Sequence, residues 1–237
     1  MYIHIFAGSL KLFQYKIYYY LNFNQNPILQ IMKKLTFLFA LIAVLAMTNV
    51  AVADNGKGKT VKAPTTLKAD VEKSTLKWNG KKVTGEHQGT IKLANGSLVV
   101  NGQKVTGGQF DIDMNSIVCT DLTDPEYNGK FIGHMKSEDF FNTAKYPTST
   151  FKITKITPKS GGNVDVTGNL TVKGITHPVT FPAVVKVTGN QAEATGKITI
   201  DRTKYDIKYG SKSFFASIGD KAINDDFTID FKLVAAK

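Results

Sequence analysis

One cysteine and one arginine occur in 237 residues, and each scarcity excludes something. With Cys119 alone there is no intrachain disulfide, so stability has to come from a buried core. Without a partner thiol, Cys119 reads as a small, partly buried residue near a strand end rather than a redox centre. Because Arg202 is the only arginine, the net charge of +11 rests on lysine. Sequence-specific readers of nucleic acid lean on arginine forks that grip base edges, so this charge argues against a nucleic-acid partner. The lysines are scattered singly along polar faces, as on a solvated surface. That pattern leaves room for a transient contact with an anionic membrane surface.

Catalytic signatures are missing as well. Beyond residue 53 the chain contains no G-x-S-x-G, G-x-x-x-x-G-K-[ST] or G-x-G-x-x-G. S-x-x-K occurs at Ser74–Lys77 and Ser149–Lys152, but both fall in expected strands, whereas penicillin-recognising enzymes need that serine at a helix start. His87, His134 and His177 stand more than forty residues apart, with no H-x-H or H-E-x-x-H spacing to signal a metal. His87 is expected in a strand and His177 in a turn before Pro178, both structural. Asp111 and Asp113 share the polar face of a strand, where carboxylates are ordinarily just solvated, and Asp225–Asp226 is the other acidic pair. Asp201–Arg202 stays open between a fixed ion pair, the favoured reading, and a headgroup contact. The sequence therefore predicts no enzyme, no catalytic residue, no metal and no cofactor.

No apolar run reaches the roughly 20 residues of a membrane-spanning helix. The longest, Leu35 to Met47, follows basic Met32-Lys33-Lys34 and precedes Ala51-Val52-Ala53, which together make a cleavable secretion signal over residues 32–53. Residues 1–31 read as upstream sequence translated from a misplaced start. No cysteine follows the signal to carry a lipid anchor, so the expected location is periplasmic or secreted, with the mature chain starting at Asp54. Residues 1–53 carry four lysines and no acid, so the remaining 184 residues carry +7. That length suits one domain with a sizeable core. Residues 54–66 are polar and rich in lysine and glycine, as in a flexible linker, and the domain covers 67–237.

What the domain does have is alternation. Phe110, Ile112 and Met114 alternate with acids; Val164, Val166, Leu170 and Val172 alternate with polar residues, as do Ile198 and Ile200, and then Phe227, Ile229, Phe231 and Leu233. Each stretch is a strand with one apolar face, which favours antiparallel pairing. About eight or nine strands are expected, near 68–78, 83–94, 97–101, 104–118, 148–157, 163–173, 179–188, 191–202 and 222–235. Asn79-Gly80, Asn95-Gly96, Asn101-Gly102, Gly161-Gly162 and Gly189-Asn190 are the expected tight turns. A helical insertion is expected from Ser137 as N-cap, through Glu138 and Asp139, to Lys145 and Pro147, with Phe140 and Phe141 plugging or lining a barrel end. Closure into a barrel and an open sandwich both satisfy this pattern.

Five segments carry a resemblance: GGQFDIDMNSI (Gly107–Ile117), GHMKSEDFFNTAKYPTSTF (Gly133–Phe151), GNLTVKGITHPVTF (Gly168–Phe181), GKITIDRTKYDIKYG (Gly196–Gly210) and IGD (Ile218–Asp220). In this order and spacing, from Lys68 to Val234, they resemble the YceI-like family of secreted lipid- and polyisoprenoid-binding proteins. The resemblance implies an all-β, elongated, antiparallel up-and-down barrel, lipocalin-like, with one short helical insertion. It also implies a long-chain polyisoprenoid or similar amphiphile, such as a quinone, a polyprenyl phosphate or a fatty amide, held inside. The lining it suggests is Phe110, Ile112, Met114, Phe131, Phe140, Phe141, Phe151, Leu170, Val172, Phe181, Ile200 and Phe227, with His134 and Arg202 as headgroup candidates. The rival is a structural or stress-response barrel with a filled core. An enzyme or metal protein using the three histidines is the third class. Oligomeric state is not legible in the sequence.

Overall fold

Alternating apolar and polar residues give nine strands among the described residues: β1 Thr65–Ala69, β2 Thr75–Lys82, β3 Gly85–Asn101, β4 Lys104–Cys119, β5 Thr148–Pro158, β6 Asn163–Val172, β7 Ile175–Thr188, β8 Gln191–Asp201 and β9 Ile223–Ala236. The computed structural model describes residues 63–237. The upstream extension, the secretion signal and most of the linker therefore lie outside the described residues, while β1 starts two residues inside the stretch read as linker. All pairings are antiparallel, and they run β2–β9–β8–β7–β6–β5–β4–β3 and back to β2. β1 pairs with the far parts of β3 and β9, at Leu67↔Leu98 and Ala69↔Ala235, so it and β2 share one place in the wall. The result is an eight-position closed barrel, and closure leaves no strand edge free among the described residues.

The expected inward faces point inward. Phe227, Ile229, Phe231 and Leu233 pack on the interior, whereas Asp226, Asp230 and Lys232 are exposed. Large rings dominate the middle of the barrel: Phe151 lies 5.5 Å from Phe181, which lies 5.7 Å from Phe231. Bare backbone beneath them makes room. Gly196 sits directly opposite Phe231, and a Cβ there would come within 2.8 Å of the ring; Gly96 sits opposite Phe110, where the approach would be 2.4 Å. Rings laid across glycines allow the sheet to coil tightly without losing apolar contact.

Those glycines explain two corrections. Asn95-Gly96 and Asn79-Gly80 are not turns: the first lies inside β3, so the stretches read as 83–94 and 97–101 are one strand, and the second lies inside β2. Both sit at register shifts, where a glycine eases a bulge. The stretch read as one strand from 68 to 78 is broken instead at Asp70–Ser74, where Ser74 N donates to Asp70 O at 3.0 Å. The β6–β7 turn is Lys173-Gly174, with φ of 50° and 74°, and His177 lies within β7 rather than in a turn.

The helix is also displaced. α1 covers Pro125–Lys136, and Asp124 caps it by accepting from the amides of Glu126 and Tyr127 at 2.9 Å each. Proline at the first helical position and an acid behind it are a stronger start signal than Ser137-Glu138-Asp139. Ser137 instead ends α1, its Oγ donating to His134 O at 2.8 Å. Residues 138–147 form turns, folded back by Asn142 N donating to Ser137 O at 2.8 Å and by Phe141 N donating to Met135 O at 3.1 Å. Acids at 138 and 139 therefore follow a helix C-terminus, where the helix dipole does not favour them.

Candidate ligand-binding cavity

The inward faces do not meet, and they enclose a cavity of about 540 Å³. Its walls are apolar along most of their length. β4 contributes Phe110, Ile112 and Met114; β5 contributes Phe151; β6 and β7 contribute Leu170, Val172 and Phe181; β8 and β9 contribute Ile200 and Phe227. α1 and the turns after it close over one end with Phe131, Phe140 and Phe141. All twelve apolar candidates from the sequence thus line one space. Trp78, Leu93, Ile229 and Phe231 line it too and were not among them. Strand alternation already placed the last two on an inward face, but Trp78 stood beside the misread Asn79-Gly80 and carried no such signal.

Polar lining gathers at the helix-bearing end. There Lys81, Lys82, Glu86, Lys221 and Asp226 are exposed and also border the cavity, which marks its mouth. Gly80 also borders the cavity, with nothing within 4 Å of where a Cβ would be. Ser149 is the one buried hydroxyl of the lining that finds no hydrogen-bond partner among the described residues. An unpartnered hydroxyl in an apolar wall is costly unless a ligand group meets it.

The two headgroup candidates both border the cavity, in different states. His134 lies in the lid between the rings of Tyr209 and Phe140, at 4.4 and 5.2 Å, with Nε2 3.7 Å from Asp139. Arg202 is buried, and its donors are taken by backbone: Nε donates to Asn224 O at 3.0 Å, Nη1 to Ile207 O and Tyr209 O at 2.8 Å each, and Nη2 to Ile223 O at 3.1 Å. Its acidic neighbour is Asp225 at 3.6 Å. Asp201 instead caps the next turn, accepting from Thr203 N at 2.9 Å. Arg202 is a clamp on the segment that returns to β9.

A second polar hub ties β3 to the segment after β4. Asp121, just after β4, accepts from Gln88 N at 2.8 Å and from the Cys119 thiol at 3.1 Å, and lies 2.8 Å from His87 Nδ1. Sequence spacing gave no sign of this trio, whose potential ligand atoms lie within 4.8 Å of one another. Burial pushes the Cys119 thiol up, which keeps it a donor. The carboxylate already serves three donors, so the cluster is satisfied as a hydrogen-bond hub. Burial disfavours the charged form of Asp121, but Gln88, His87 and Cys119 outweigh it and hold the pKa at about 2. A carboxylate whose folded pKa is depressed stabilises the fold fully above its ordinary value, and that contribution disappears as the pH falls towards 2. Asp121 is partly exposed, so solvent screening reduces the contribution to about 1 kcal/mol. Asp121→Asn is therefore expected to be less stable than the parent at pH 7 and to converge with it near pH 2, as read by urea denaturation; an equal deficit at both pH values would remove the charge from the explanation.

The model of the YceI-like domain matches residues 67–235. Protein YceI of Escherichia coli O6:H1 is 33% identical over 121 residues, which cover 47% of this chain and 60% of that protein. A UPF0312 protein of Vibrio parahaemolyticus is 34% identical over 121 residues, covering 45% and 64%. The matched stretch is thus less than two thirds of the length of either relative. Among solved structures, Burkholderia cenocepacia BcnA superposes with a TM-score of 0.57 at 27% identity, covering 71% of this chain and 99% of that one. A polyisoprenoid binding domain from Saccharophagus degradans superposes with a TM-score of 0.52 at 18% identity, covering 72% and 97%, and shows the shared fold. The chain belongs to the YceI-like family.

Proposed function

We propose that the protein is an exported carrier for one long-chain polyisoprenoid or similar amphipathic lipid, with the tail in the barrel, the headgroup at the helix-bearing end, and no reaction of its own. The length of the apolar cavity carries this reading. On β9 the lining runs from Ile223 to Leu233. Ten steps at roughly 3.3 Å, tilted by about 40° as in barrels of this size, give an axial length of about 25 Å. One leaflet of a bilayer offers only about 15 Å of hydrocarbon. The space therefore suits one long tail held extended along the barrel. Each buried CH₂ gains about 0.8 kcal/mol, but a membrane offers the same gain, so a carrier competes only if its interior is equally dry. Walls of Phe, Ile, Leu and Val meet that condition. The family and the name of the Saccharophagus degradans neighbour support the same ligand class. A filled structural core, the rival reading, is disfavoured by a cavity of about 540 Å³.

Mass spectrometry tests this on natively purified protein. The organic extract is expected to contain one long-chain isoprenoid amphiphile near one per chain, and the intact protein is expected to start at Asp54. Protein from its own source that carries no lipid would refute the carrier. A chain that retains the apolar run Leu35–Met47 would refute export by cleavage.

A further inference from the structure

We propose that the helix-bearing end of the barrel docks on an anionic phospholipid bilayer through residues 206–222, which places the cavity mouth at the lipid surface; the inference rests on the carrier reading only for its purpose. Phe214 and Phe215 are 50% and 52% exposed, and every other phenylalanine among the described residues is at least partly buried. Neither borders the cavity, so neither serves the interior. Two further apolar side chains at the same end are half exposed: Tyr209 and Val83, the latter at the tip of the β2–β3 turn, where its amide donates to Ala222 O at 3.1 Å.

The exposed rings stand on a fixed base. Ser211 is fully buried, and its carbonyl accepts from Phe214 N and Phe215 N at 3.2 and 2.9 Å. Ser213 Oγ donates to Asp225, Ile223 N donates to Gly210 O at 2.8 Å, and Arg202 grips the carbonyls of Ile207 and Tyr209. The fold thus holds two phenylalanines out in water beside the mouth of an apolar cavity.

Charge selects the partner. Residues 206–222 include three lysines, Lys208, Lys212 and Lys221, and two acids, Asp206 and Asp220, of which Asp206 pairs with Lys208 at 2.7 Å. Lys208 stands 5.2 Å from the centre of the Phe214 ring, and Lys82, Lys212 and Lys221 have no acidic partner within 4.0 Å among the described residues. Exposed aromatic side chains on a segment that also carries unpaired lysines are the pattern of an interfacial anchor on anionic lipid, where rings enter the headgroup layer and each lysine adds attraction that salt screens. A stable protein interface needs roughly 800 Å² from each partner, far more than two rings supply. A second copy would also set this lysine-rich face against itself.

The test is flotation with vesicles of phosphatidylglycerol and phosphatidylethanolamine, against vesicles of phosphatidylcholine alone, using purified protein whose N-terminus lies beyond Leu35–Met47. The parent is expected to bind the anionic vesicles, and to bind them less as salt is raised. Phe214→Ser with Phe215→Ser is expected to lower that binding at least tenfold while leaving farnesol binding from solution, which reads the cavity, unchanged. Lys212→Glu, an exposed change that does not threaten folding, is expected to weaken anionic binding severalfold. Absent binding by the parent, or full binding by both variants, overturns the docking surface. So does a parent dimer that the double phenylalanine change dissociates, because the patch then serves a second copy. Vesicle binding by a parent that binds neither farnesol nor any lipid would leave the docking surface standing and remove the carrier.

Discussion

Leu170→Glu is expected to strip any lipid that co-purifies with the parent, and Asn169→Glu to leave it in place. The two residues are neighbours on β6, so their side chains must point to opposite sides of the wall. Leu170 is buried and borders the cavity, beside its cross-strand partner Phe151; Asn169 is exposed. An ionised carboxylate in an apolar, water-free space costs several kcal/mol. With lipid bound, that cost falls on the complex. Without lipid, a space of about 540 Å³ has room for on the order of ten waters or more at about 30 Å³ each, which can solvate the carboxylate. A hollow barrel therefore predicts lost lipid and a retained fold, read by mass spectrometry of the extract beside circular dichroism. Unfolding of Leu170→Glu, together with a parent free of lipid, would point to a core that behaves as solid. Lipid lost from Asn169→Glu instead would invert the face assignment on β6.

The features legible in the sequence were those written in local periodicity. Phe227 to Leu233 and Val164 to Val172 alternate in composition because one side of each strand meets water, and no partner strand need be known to see it. Glycine was harder to read. Gly96 and Gly80 resemble turn residues on paper, but Gly96 exists to let the Phe110 ring cross it, a contact set by β4 some fourteen residues away. The helix was misplaced for a related reason. Ser137 is competent as a cap at either end of a helix, and only the stronger Asp124-Pro125 start decides which end it takes. Two features had no local signal at all. The hub of His87, Cys119 and Asp121 joins β3 to the strand end thirty residues later, and the pairing of β2 with β9, at Lys82↔Ile223, brings Lys82 to the same part of the mouth as Lys221. Both exist only once the sheet has closed.

Arg202→Ala is expected to cost several kcal/mol, because each buried acceptor left unsatisfied costs roughly 1 to 3 kcal/mol and one guanidinium serves several. Four carbonyls, those of Ile207, Tyr209, Ile223 and Asn224, lose their donor at once. Arg202→Lys rescues little, because an ammonium is a single point with no planar fork to reach carbonyls on two segments. Asp225 makes the effect depend on pH. Burial pushes its pKa up, but Ser211, Ser213 and Arg202 outweigh burial and hold it below the ordinary carboxylate value. Without Arg202 that charge is partly uncompensated, so the deficit is expected to be largest at neutral pH and to narrow as acid protonates Asp225. Urea denaturation at pH 7 and pH 3 reads both effects. The competing role, a direct headgroup contact, makes the opposite forecast: lipid lost from Arg202→Ala with less than about 1 kcal/mol of stability lost, as for a side chain whose donors face the ligand rather than the backbone. With all four of its bonds going to carbonyls of residues 207–224, the guanidinium is placed to hold the mouth in shape, and ligand content should fall only as far as the fold does.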